Sequence, residues 1–256
     1  MKPDGLVLHE GDRVSAWGRL VRNEQGDWFE PPLLVAMVHV GDRGVRPVWS
    51  GAVRVANVDF DDLRDRRASN GAVEGWATLT GIWSGSHLLA GRQIPEGPPP
   101  VHVPAWTTPP CLPPVGGWPD VIRHGDANLR FDLGDLRDTG AAVSVTLFRP
   151  GGNKAVLVVA AADSAAVEAQ LRPQLGDCLC VVPSRWTRAD LDQVRACLDD
   201  HHEQWNVYLC GESSTDDGQA CITASLTRVL PEIAAWAESL PGGLLILKPW
   251  LAPLRH

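Results

Sequence analysis

The chain has 256 residues, of which 44% are hydrophobic and 21% charged, and it carries a net charge of −8. That length holds two ordinary domains with ample core, and that balance excludes global disorder. The acidity, without any linear run of Lys and Arg, argues against a nucleic-acid binder of the basic-patch kind.

Alternation of side chains marks the first strand. Over residues 14–21, Val14, Ala16, Gly18 and Leu20 fall on one face while Trp17 and Arg19 take the other, because successive strand side chains alternate. Asn23-Glu24-Gln25-Gly26 reads as a turn, followed by Trp28-Phe29, a Pro31-Pro32 break and the apolar run 33–40. After the turn Gly41-Asp42-Arg43-Gly44, a third strand over 48–58 places Trp49, Gly51, Val53 and Val55 together and Arg54 opposite. Residues 60–68 are too charged for a strand. Phe60 and Leu63 fall at helical spacing, so a short amphipathic helix is expected there. A fourth strand over 72–83 carries Gly75 and Gly81, with Gly85 just beyond, and glycines in strands mark bends or bulges. A fifth strand spans 87–94.

Three strands, a helix and two strands resemble the OB-fold in element order, which implies a partly open Greek-key barrel over residues 13–94. The resemblance brings no residue signature, so it transfers no binding residues. Two phrases, Val14-x-x-Trp17-Gly18-x-Leu20 and Val73-x-x-Trp76-Ala77-x-Leu79, echo each other, as an internal repeat or as two similar barrel strands.

Residues 95–119 hold ten prolines in 25 positions. Proline sustains neither ladder nor helix, so this is a linker or strap. Val101, Val103, Trp106, Leu112 and Trp118 favour a strap lying across both domains over a free tether, with a polyproline ligand as the alternative.

Beyond residue 120 the periodicity becomes mixed. Strands are expected over 142–148 and 155–161, a helix from Ser164, a buried strand over 178–182, and a helix opened by the capping spacing Thr187-x-x-Asp190. Strands over 207–210 and 220–226 form a hairpin, Pro231 begins a third helix, and residues 244–247 are a last strand. The expected fold is therefore two-domain. An OB-like β-barrel (1–94) and an α/β domain of one mixed sheet with about three helices (120–256) are joined by the proline-rich segment.

No stretch reaches the roughly 18 apolar residues of a membrane-spanning helix, and residues 1–10 lack the apolar core of a secretion leader. Six dispersed cysteines are not a small secreted disulfide scaffold. The expectation is a cytoplasmic protein with reduced thiols and no membrane partner.

No catalytic residue, metal ligand set or cofactor motif stands out. Two surface sets do. Trp17, Arg19, Arg54 and Trp76 could stack and hold nucleobases, or anchor a protein or the second domain. Ser184, Arg185, Thr187 and Arg188 join a strand to a helix N-terminus, where anions settle; a capped helix with solvated arginines accounts for them equally well. Cys197 and His201 share a helix face without zinc-type spacing. Three readings follow: a non-catalytic accessory protein binding another protein, a single-stranded nucleic-acid binder, and an enzyme on a small anionic substrate.

Overall fold

The computed structural model describes residues 3–32, 47–97, 106–120 and 141–254. Six strands build the first half: β1 (Arg13–Asn23), β2 (Gly26–Glu30), β3 (Val53–Ala56), β4 (Arg64–Ser69), β5 (Ala72–Trp83) and β6 (His87–Ile94). Five of them close into a mixed barrel in the order β1-β2-β3-β6-β5, with β5 returning to β1. Only the β3–β6 pair is parallel. This connectivity is consistent with an OB-like barrel. Val14, Leu20, Phe29, Val53, Ala77, Leu79 and Leu88 fill the interior, in the alternation the sequence dictates. The two echoing phrases lie on β1 and β5, which pair antiparallel with Trp17 opposite Thr78.

Residues 60–68 correct the expected helix. Phe60 and Leu63 are buried as their spacing required, but Arg64–Ser69 is a strand paired antiparallel to β5. The cause is an open edge. β6 reaches only Thr78–Trp83 of β5, so the backbone groups over Ala72–Trp76 need another partner. Asp65, at φ +51°, also breaks any helical run. The third strand is shorter than expected, and the apolar run 33–40 lies outside the described residues.

β1 pairs with β2 only from Arg19 to Asn23. Along the rest of that edge the C-terminal residues take over. Trp250 Nε1 donates to the Trp17 carbonyl at 2.8 Å, the Leu254 amide donates to the Arg13 carbonyl at 2.7 Å, and Leu251 is fully buried in the barrel core. Gly18 permits this approach, since a Cβ there would stand 2.6 Å from Trp250 Cζ2.

The second half contains three helices and two three-stranded mixed sheets, in place of the single sheet expected. β7 (Ala142–Phe148) and β8 (Val156–Ala161) form a hairpin, α1 (Ser164–Leu175) crosses over, and β9 (Leu179–Pro183) returns parallel to β8. Then α2 (Arg188–Asp200) leads to the same arrangement again. β10 (Val207–Ser214) and β11 (Ala220–Leu226) form a hairpin, α3 (Pro231–Ser239) crosses over, and β12 (Leu245–Pro249) returns parallel to β11. The register of both hairpins slips at the same place, one residue into the first strand, at Val143 and at Tyr208. Both third strands end on proline. The second half is thus a doubled ββαβ unit, and two short sheets follow because each unit completes its own.

Each sheet buries two faces. On the first, Val159, Ala161 and Leu179 pack on Val167, Leu171 and Leu175 of α1, while Val156, Val158 and Cys180 face Trp106, Cys111 and Trp118. Residues 106–120 are therefore fastened to the α/β half. Cys111 and Cys180 are joined by a disulfide with Cα atoms 5.8 Å apart, which departs from the expected reduced thiols. On the second sheet, Ala220, Ile222, Ala224 and Leu226 meet α2 and α3, and the opposite face contacts the barrel's 49–51 turn. There Trp49 sits edge-on to Tyr208, and Thr227 Oγ1 donates to the Gly51 carbonyl. No described helix is long and apolar enough to cross a membrane.

Candidate binding surfaces

The outer face of the barrel carries the first set. Cross-strand partners share a face, so the ladder places Arg19 beside Trp76 and Trp17 beside Thr78. Trp17 and Trp76 stack on one another, centroids 4.7 Å apart and planes 12° from parallel. Trp17 Nε1 donates to the Glu96 carbonyl at 3.2 Å, which fixes the ring. Both indoles are half-buried. Neither belongs to a buried core cluster.

Arg19 behaves differently from its neighbours. It is 2% exposed, and its guanidinium donates to Glu74 Oε2 at 2.8 Å and also to Glu30 Oε1. Glu30 holds a second donor, the Trp49 amide, at 3.0 Å. A cation so enclosed offers no charge to an outside ligand. Arg54 lies with its guanidinium carbon 3.9 Å above the Trp28 ring and donates to the Gln25 carbonyl. Alternation placed both arginines on the outer face correctly, but it carries no information on what else covers that face.

The same face extends past the tryptophans. Ser15 pairs across to Thr80, and Thr80 to Arg92; Arg13 pairs across to Ile82, and Ile82 to Leu89. A depression of about 360 Å³ lies among Arg13, Thr80, Ile82, Leu89 and Arg92. Its opening comes from the bulge in β6, where Gly91 has no side chain to fill it. Thr80, Ile82, Leu89 and Arg92 were not singled out from sequence. The period-2 pattern running on from Trp17 through Ser15 to Arg13 was the available signal.

The second set stands at the start of α2. Thr187 caps the helix, and its backbone and hydroxyl hold the Asp190 carboxyl below its ordinary pKa. Ser184 Oγ donates to the Trp186 carbonyl at 2.8 Å. Arg185 pairs with Asp217, and Arg188 pairs with Glu212 and Asp192, the Glu212 contact pushing its pKa up. The four residues do gather at one helix end. The positions an anion would fill are taken by the protein's own carboxylates.

Cys197 Sγ lies 3.9 Å from His201 Nδ1, which sits 2.9 Å from the Cys197 carbonyl. Burial, then Asp200, push this thiol's pKa up, away from nucleophilic character. Cys210 lies opposite Ala224 and Cys221 opposite Ser213. Among the described residues no cluster of His, Cys, Asp or Glu is placed to hold a metal ion.

The chain matches no known protein-family model, and neither the curated proteins nor the solved structures contain a significant match.

Proposed function

We propose that the chain is a non-catalytic accessory protein that binds another protein through the outer face of an OB-like barrel. In this reading residues 1–94 are the barrel domain, 120–256 the α/β domain, and 95–119 a strap between them. One observation carries it. The Trp17–Trp76 stack is half-buried on the outer face of the barrel, and of the two arginines paired across to Trp76, Arg19 is buried between Glu30 and Glu74 while Arg64 is exposed beside Asp65. A partly exposed pair of stacked indoles, with one flanking arginine already enclosed by carboxylates and the other beside an aspartate, suits a protein interface, where indoles are enriched. It suits a phosphate backbone less well, since lysine and arginine supply most of that affinity.

Single-stranded nucleic-acid binding is the second reading, favoured by the accessible indole pair itself. The enzyme reading rests on the Ser184–Arg188 helix end, whose arginines already hold carboxylates, and it gains nothing from the geometry. Residence in the cytoplasm belongs to the proposal. The Cys111–Cys180 disulfide weighs against that part, because disulfides are rare in reducing compartments. The test compares proteins captured by the tagged wild type with those captured by a Trp17→Ala/Trp76→Ala variant. A partner retained by the first and lost by the second supports the reading. Equal capture, or saturable binding of single-stranded DNA that weakens with salt, counts against it.

A further inference from the structure

We infer that the depression between Arg13 and Arg92 is the specificity pocket of that surface, receiving an apolar side chain of the partner flanked by carboxylates. The inference rests on the protein-binding reading and names the chemistry of its partner.

Three strands build the pocket. β1 contributes Arg13, β5 contributes Thr80 and Ile82, and β6 contributes Leu89 and Arg92, lying in two cross-strand rows. The one hydroxyl among the lining side chains, Thr80 Oγ1, lies 3.0 Å from Ser15 Oγ on the neighbouring strand and is already partnered there. Ile82 and Leu89 are 39% and 36% exposed, large aliphatic side chains left uncovered side by side. Burying them is favourable, and an aliphatic or aromatic side chain is the occupant that does so.

The rim sets the charge. Arg13 and Arg92 are both exposed, and neither makes an ion pair among the described residues. Elsewhere Arg19, Arg22, Arg172, Arg185 and Arg188 all hold carboxylates, in a chain of net charge −8. Two unpaired guanidinium groups flanking an apolar depression complement a segment of acidic-apolar-acidic pattern. The walls distinguish this from a base-binding site. Stacked bases need aromatic faces, and the pocket is walled by Ile82 and Leu89, with the indoles on the adjoining rows.

The experiment selects a phage-displayed random peptide library on the full chain, then measures the selected peptides against Arg13→Glu/Arg92→Glu and Trp17→Ala/Trp76→Ala variants. Exposed arginines are used so that the fold survives, and circular dichroism checks that it does; Arg13→Gln/Arg92→Gln is the reserve variant. The expected result is a consensus of an apolar residue between acidic ones, binding about tenfold or more weaker to the charge-reversed protein. No enrichment, or a consensus lacking carboxylates, overturns the inference. Peptides that need Trp17 and Trp76 but ignore the arginine variants overturn it while leaving the protein-binding reading standing. Single-stranded DNA that binds in competition with the peptides, and needs both arginines, overturns both.

Discussion

Arg19 Nε donates to Glu74 Oε2 at 2.8 Å on the outside of the barrel, yet both residues are shielded from water. With Glu30 on the other side, one guanidinium offsets two carboxylates in a desolvated place. Removing the cation alone strands both. Arg19→Met is expected to cost about 3–5 kcal/mol, and joint replacement of Arg19, Glu30 and Glu74 by apolar residues to recover most of it. Urea unfolding of the single and triple variants checks this.

Alternation found β1 and β5 because their inward positions are uniformly apolar or glycine. It also placed Arg19 facing out, but the Trp49 turn that covers Glu30 comes from elsewhere in the chain. β4 was hidden because its residues are charged and exposed, and its cause is an unpaired stretch of β5. The capping box at Thr187 and Asp190 was legible, being local chemistry. The doubled ββαβ unit was not, since the copies share topology and bulge position but little residue identity. Cys111 and Cys180 lie 69 residues apart, and spacing does not define such a pair.

The barrel depends on its C-terminal plug. Leu251 is wholly buried among Val14, Phe29 and their neighbours. Leu251→Ala should cost about 2–5 kcal/mol, comparable to other buried leucines. Gly18→Val should destabilise by about 1–3 kcal/mol or more through collision with the Glu30 carbonyl and Trp250. Gly91→Ala, whose Cβ would meet nothing closer than 3.8 Å, should fall well short of that. Thermal unfolding of the three variants ranks them.

Thiol counting tests the Cys111–Cys180 link. Denatured, unreduced protein should show four reactive thiols, from Cys178, Cys197, Cys210 and Cys221, and reduction should raise the count to six. Burial pushes the Cys221 thiol up to about 11, so in the folded protein it should be the slowest to alkylate at mildly alkaline pH. Six thiols without reduction would show Cys111 and Cys180 unlinked.

Acid sensitivity follows from two lowered carboxyls. Asp190 is held down by the Thr187 backbone and hydroxyl, and Asp217 by the Thr215 hydroxyl and then Arg185. A lowered folded pKa means that the unfolded chain takes up the proton first as pH falls. Their contribution is therefore complete above the ordinary carboxylate pKa of about 4 and is lost below it. The melting temperature should drop on acidification below that point, and less steeply in Asp190→Asn, which lacks one of the two groups.

The Trp17–Trp76 face is proposed to receive a protein. The most direct measurement is quantitative capture from a native extract by wild type and by the folded Trp17→Ala/Trp76→Ala variant, read by mass spectrometry. At least one protein should be enriched on the wild type and depleted to background on the variant, with no nucleic acid required for its retention. Identical capture by both, or capture abolished by nuclease, would contradict it.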